Sequence, residues 1–384
     1  VGEFWFAQVP NRRTDLERLP AAILDAAAEA GLAALVCDKR AHWRALAAGA
    51  DQARCGFEAA LRDFGAHPAV FGFHAGDEPT AADFNQACRM LRLQKELAPQ
   101  LTPFCNLFSW FPGAERLVAF PAWSAYLDAY VKNARPDLLC YDCYSQLNPA
   151  DHPWGWDMYF RNLREYWEAS IRAEVPYWTT LLSVGHFQYR CPTEDDLRWQ
   201  INTAAAHGAK GLLWFFLYMR EPHENYRVAP IDEHWERTET YERLSRVNRT
   251  FLKTHAPVLA DLTLRFVGHV GTAWGGFTQT DGLGPLTRAV SKNKTPLIVS
   301  EFTDAAGRTY VAVVNNSQTT STQAELRFRS SGPFLYRIGW EGVERKVDRG
   351  DGWTPTVKDD TIIIHPWLAP GQMELFRMDS FQAK

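Results

Sequence analysis

The first two thirds of the chain repeat one pattern: a short apolar or β-branched run, a loop, then an amphipathic stretch. The runs fall at residues 4–8, 33–38, 70–75, 102–108, 138–144, 176–183 and 211–218. From the third onward they recur about every 32 to 38 residues, close to the repeat of a roughly 250-residue eightfold (β/α) barrel. The stretches between them carry helix signals. Thr14 and Glu17 have capping-box spacing, followed by Leu16, Leu19, Ile23 and Ala27 on one face and Gly31 as a stop. Thr80 is predicted to cap a helix with Phe84, Cys88 and Leu91 on one face. Thr193 is predicted to cap another, with Leu197, Ile201, Ala204 and Ala205 inward and Gly208 ending it. Near-continuous apolar strands alternating with such helices indicate a parallel sheet covered on both faces.

The predicted fold class is therefore α/β, a TIM-type (β/α) barrel. Only seven strands are legible, and counting back from the last makes residues 4–8 the second. The barrel thus lacks its first strand, either because it preceded Val1 or because the barrel is incomplete. A helix over 236–254 closes this domain at about residue 260. Beyond 261 the pattern changes to short alternating β runs at 308–315, 323–329, 361–365 and 372–377, separated by Asn-, Ser- and Gly-rich turns. These predict an antiparallel β-sandwich domain of roughly 120 residues. The expected domains are 1–260 and 261–384.

Composition narrows the function classes. Among 384 residues the net charge of -4 is mild, and no basic stripe argues for nucleic acid. No apolar run approaches the roughly 20 residues needed to span a bilayer. Seven Cys without regular spacing do not make a disulfide framework. Cys140 and Cys143, three apart in an expected strand, point to opposite faces and do not clamp a metal. No metal or cofactor motif is read: His223 starts like a zinc helix but has no second His. The chain starts at Val1 and enters an apolar run almost at once. A removed signal peptide or longer N-terminus is expected, with a secreted or periplasmic location, a cytoplasmic one staying open. The 15 Trp, 13 Tyr and 23 Phe serve either as core or as platforms for sugar rings.

In a (β/α) barrel, chemistry sits at the C-terminal ends of the strands. The run Phe71-Gly72-Phe73-His74-Ala75-Gly76-Asp77-Glu78-Pro79 ends an apolar strand in two adjacent carboxylates. Their repulsion and any burial raise at least one pKa, as a general acid requires. The alternative is that they cap or salt-bridge the next helix, a task Thr80 already fills. The run resembles the Asn-Glu-Pro ending of the fourth strand in clan A glycoside hydrolases, the group holding the β-galactosidase-like and cellulase-like barrels. Strand counting also places Glu78 on the fourth strand. The resemblance implies that Glu78 is the acid/base, that Asp77 stands where an Asn bonds the sugar 2-hydroxyl, and that the mechanism is retaining. It also implies a nucleophilic Glu ending the seventh strand, but Pro176-Tyr177-Trp178-Thr179-Thr180-Leu181-Leu182-Ser183 contains none.

Two other carboxylates are candidates for the second group. Asp142 lies late in the apolar sixth strand, where an unpaired buried charge is costly and a position facing the active end is expected; the alternative is a salt bridge to Arg161 or Arg164. Glu221 follows the eighth strand, with a loop ion pair to Arg220 as its alternative. Glu194 reads as part of an acidic first helical turn. Further substrate-binding candidates are Arg40, Trp110, Tyr144, Trp154, Trp156, Trp178, His186, Trp214 and Tyr218. Trp110, Trp154 and Trp156 are expected in loops as a sugar-stacking rim. The expected function is hydrolysis of a plant or microbial glycan, with a carbohydrate substrate and no cofactor. The alternatives are a non-catalytic glycan-binding protein on a degenerate barrel, or a lyase using His186 or Tyr144.

Overall fold

The computed structural model describes residues 19–149, 154–219, 225–329, 334–348, 354–358 and 360–378. The expected strand at residues 4–8, the Thr14 capping box and Glu221 lie outside them. The chain forms two compact units, Val1–Asp142 with Glu165–Thr180, and Cys143–Arg164 with Leu181–Lys384.

In the first unit, β1 (Ala34–Val36), β2 (Val70–Asp77) and β3 (Thr102–Asn106) form a parallel sheet in that order. A parallel bridge between Leu107 and Tyr141 links the end of β3 to β4 (Leu139–Asp142). Strand β4 pairs in parallel with β5 (Tyr177–Leu182), from Leu139 opposite Tyr177 to Asp142 opposite Thr180. Sequence neighbours are thus spatial neighbours, as repeated βα units dictate. The connecting helices are α1 (Leu19–Glu29), α2 (Ala50–Ala60), α3 (Phe84–Leu97), α4 (Ala114–Val118) and α5 (Trp123–Ala134). They cover the sheet with apolar faces: Phe57 of α2 meets Phe73 of β2 edge-on at 5.1 Å, inside a cluster with Leu24, Ala34, Ala60 and Val70.

Helix α3 departs from expectation. It starts at Phe84 with Asp83 in the cap position, and Thr80 does not cap it. The Thr80 carbonyl accepts from the Asp83 and Phe84 amides at 2.9 Å, and its hydroxyl donates to the Asp83 carboxylate at 3.2 Å. A threonine with an acid three residues on closes a tight turn as readily as it opens a helix, and the chain uses it for the turn.

Helix α6 (Trp154–Ala173) carries the chain from the second unit back into the first. In the second unit, α7 (Glu194–Ala206) does begin at a Thr193 capping box, closed with Asp196. Strand β6 (Gly211–Phe215) accepts the Ser183 amide on the Phe215 carbonyl at 2.8 Å. Helix α8 (Glu239–Thr254) is the one expected over 236–254. Beyond it, the chain is an antiparallel region. Thr263–Val270, Leu297–Thr303, Thr309–Asn315 and Met373–Met378 lie side by side in one sheet, and Thr322–Arg329 pairs with Leu286–Ser291 and Thr361–Ile364 in another. Val299 and Val311 of the first sheet share an apolar cluster with Leu326, Phe328 and Ile364 of the second. No described helix is long and apolar enough to cross a membrane.

Candidate active site

Strand β2 delivers Asp77 and Glu78 through a distortion. His74 stands opposite Phe104 and Asp77 opposite Asn106, with a register shift between His74 and Gly76. Strict alternation puts residues three apart on opposite faces. The bulge lets both side chains meet partners on β3: His74 lies 5.6 Å from the Phe104 ring, and Asp77 is hydrogen-bonded to Asn106. Gly76, at φ 144°, is the residue that permits it.

Glu78 follows at φ 49°, left-handed backbone that a non-glycine residue enters at a cost, and it precedes Pro79, which further narrows its choices. Its amide donates to the Asn106 carbonyl at 2.9 Å, fastening it to the end of β3. Strain of this kind persists where the surrounding structure imposes it and is concentrated at functional sites. The Glu78 side chain is half-buried. Burial first, then the charges of Asp142 and Asp77, raise its pKa to about 8. His74 moves the other way, to about 4, because burial disfavours its cation.

Asn106 joins the carboxylates. Its Nδ2 donates to Asp77 Oδ1 at 2.9 Å and to Asp142 Oδ1 at 2.7 Å. Asp77, Glu78, Asn106 and Asp142 therefore converge at the C-terminal ends of three adjacent parallel strands of the first unit. Asn106 is the site residue that the sequence pattern misses. The available signal was a polar residue closing the apolar run Pro103-Phe104-Cys105, the same signal that marks Asp142.

The other candidates separate by environment. Trp178 on β5 stacks on Phe71 at 5.9 Å and lies 6.5 Å from Phe104, half-buried in the first unit. Trp110 donates from Nε1 to Glu115 at 2.8 Å. The Arg40 guanidinium is hydrogen-bonded to Asp38 at 2.7 and 3.0 Å and to Asp63 at 2.7 Å. It is the tie between the end of β1 and the chain after α2.

In the second unit, Tyr144 and His186 both lie against Phe215, at 5.6 and 5.4 Å, and His186 stacks on Tyr226 at 4.7 Å. Trp214 is a structural anchor, donating to Asn248 of α8 at 3.1 Å. Tyr218 stacks at 4.7 Å on Trp235, which is 71% exposed. Trp154 and Trp156 are not in a loop, because α6 begins at Trp154. Trp154 is exposed, and Trp156 is half-buried, packing at 4.8 Å on Trp199 and 5.9 Å from Trp274. Glu194 is held by Arg246 at 2.6 Å, a structural ion pair at the start of α7. Among the described residues no cluster of His, Cys, Asp and Glu is arranged to hold a metal ion.

No family model matches the chain, and no curated protein matches it in sequence. Solved structures do match, glycoside hydrolases among them. A family 5 glycoside hydrolase from Bacteroides vulgatus superposes with a TM-score of 0.56 at 11% identity, covering 97% of this chain and 77% of that one. This likeness is one of fold. The β-galactosidases of the psychrophilic Marinomonas ef1 and of the Antarctic haloarchaeon Halorubrum lacusprofundi match at TM-scores of 0.47 and 0.46, with 11% and 14% identity. They cover 65% and 64% of this chain, and the chain spans about half of theirs, 55% and 52%.

Proposed function

We propose that the chain is a glycoside hydrolase in which Glu78 protonates the departing glycosidic oxygen. One observation carries this: a half-buried carboxyl fastened at a strand end beside Asp77 and Asn106, where burial and the charges of Asp142 and Asp77 raise its pKa to about 8. Such a group keeps its proton at neutral pH and has it ready for a leaving group. Asp142, hydrogen-bonded through Asn106 to Asp77, serves as the nucleophile or the water-activating base, with Glu221 as the other choice. The separation of the two reacting carboxyls decides between those roles. Asp77 binds a sugar hydroxyl. Trp110, Trp154, Trp178 and Tyr218 are the aromatic candidates for the substrate, a plant or microbial glycan. The proposal extends to architecture: a (β/α) barrel domain over 1–260 followed by a β-sandwich over 261–384.

The test is turnover on a panel of nitrophenyl glycosides and polysaccharides by the wild type and Glu78→Gln. The expected result is a loss of about 10²- to 10⁴-fold in the variant on substrates with poor leaving groups. Equal rates in the two proteins overturn the assignment of Glu78. A second reading, a glycan-binding protein without turnover, is favoured by β5, whose Thr179-Thr180-Leu181-Leu182 ending has no carboxylate. Saturable glycan binding with no hydrolysis of any bound sugar supports that reading instead.

A further inference from the structure

Asn106 stands on β3, between the strands that carry Asp77 and Asp142, and gives one N–H to each carboxylate. Both acceptor oxygens lie within hydrogen-bond distance of one nitrogen, so they are less than about 6 Å apart. The orientation of this amide follows from chemistry: turned over, its oxygen would face two acceptors. As it stands, the amide oxygen is buried and has no hydrogen-bond partner among the described residues. A buried orphan acceptor is a penalty, borne here by a residue whose donors are wholly committed to the two carboxylates.

We infer that Asn106 is a positioning residue: it clamps Asp77 and Asp142 side by side as acceptors and thereby confines the site's proton to Glu78. The inference rests on the proposed function only in giving Glu78 the role of acid. Two like charges this close, deprived of their shared donor, bind a proton more readily. A proton taken up between Asp77 and Asp142 lowers the negative charge that acts on Glu78, and Glu78 then gives up its own proton more easily. Titratable groups around the cluster include His42, His74 of β2, Cys105 of β3, Cys140 of β4, Tyr126 of α5 and Tyr166 of α6. Burial pushes the imidazoles down and the thiols and phenols up, so these six are neutral near pH 7.

The experiment is a carbon-13 NMR titration of Glu side-chain carboxyls in the full chain, with the Glu78 signal identified by its loss in Glu78→Gln. In the wild type it titrates near pH 8. In Asn106→Leu, similar in shape but without the donor, its midpoint falls by about one pH unit or more. Asn106→Ser, whose hydroxyl reaches only one partner, gives a smaller fall and serves if the leucine variant does not fold. An unchanged midpoint in a folded variant overturns the role of Asn106. So does a wild-type Glu78 that titrates in the ordinary carboxylate range, an outcome that does not depend on any Asn106 variant folding. The readout does not depend on turnover. A chain that cleaves no glycoside but shows these shifts loses the proposed function and keeps the clamp; a working hydrolase without them does the reverse.

Discussion

The indole of Trp43 lies against the α-carbon of Gly76, so close that a β-carbon there would sit 2.0 Å from one ring carbon and 2.2 Å from the next. Trp43 is buried and has no room to retreat, and Gly76 also holds φ at 144°. Gly76→Ala therefore meets both a steric clash and a backbone penalty, together roughly 2 kcal/mol or more. Urea unfolding checks this, and a midpoint equal to the wild type's refutes it. Because Gly76 sits two residues before Glu78, the surviving folded fraction is expected to lose activity as well.

Glu78 ties stability to pH in a direction opposite to that of most carboxylates. Its ordinary value is 4.5 and its folded value is about 8. Between those limits the folded chain holds a proton that the unfolded chain has lost, so stability declines as pH rises through the window. Glu78→Gln removes that decline. The variant is expected to melt above the wild type at pH 8 and to gain less at pH 5. A wild type whose melting temperature does not fall relative to the variant's across this range contradicts the raised acid.

Two buried histidines of the second unit act at lower pH. His207 donates from Nδ1 to the Thr203 carbonyl at 2.7 Å, which leaves its Nε2 to accept from His269 at 3.3 Å. His269 in turn accepts the Trp274 amide on Nδ1 at 3.2 Å. Burial lowers the two pKa values to about 4 and about 2. The stability this pair contributes is full above about 6.5 and is lost as pH falls below it, when the unfolded chain alone takes up protons. His207→Gln should flatten the loss of melting temperature between pH 6.5 and 4.5. An equally steep loss in that variant assigns the acid sensitivity elsewhere.

Asp196 is 1% exposed and accepts from the Thr193 amide and hydroxyl, both at 2.7 Å, and from the Arg190 guanidinium. Asp196→Ala leaves the Arg190 guanidinium, 40% exposed and still bonded to Gln318, without its carboxylate and opens the α7 capping box, a cost of about 2–3 kcal/mol. Thr193→Ala removes the cap alone, about 1 kcal/mol. Denaturant unfolding of both variants checks the order, and a threonine variant as damaged as the aspartate one reverses it.

Trp154 and Trp156 separate two uses of indole. Trp156→Ala empties a half-buried site against Trp199 and is expected to destabilise the chain by about 1–3 kcal/mol, below the roughly 3–5 kcal/mol of fully buried large aromatics. Trp154→Ala, at an exposed ring, leaves the unfolding midpoint within about 0.5 kcal/mol and weakens glycan binding. Unchanged affinity in Trp154→Ala removes that residue from the substrate rim.

The positions of β1 to β6 were legible because each is an apolar run bounded by turn residues, a signal contained in a few consecutive positions. What depended on pairing was not legible. Asn106 acquires its role from the register of β2, β3 and β4. Arg40 looks like a free strand-end cation until Asp63, 23 residues on, is folded beside it. Thr80 and Thr193 present the same local signal, yet only the second caps a helix, since the turn at Thr80 uses its carbonyl instead. Trp156 reads as a loop residue because nothing in its immediate neighbours announces Trp199. Glu78 was legible as a chemical group, but the backbone that aims it was not.

The backbone link from the Glu78 amide to the Asn106 carbonyl bears on timing. It makes the carboxyl an extension of the sheet and not a passenger on a lid. Its amide should exchange with solvent deuterium as slowly as the strand ladder opens, and its placement is set at folding. On the role proposed for Glu78, the proton donor is docked before a sugar arrives, and the first chemical step is not gated by closure of the segment that bears it.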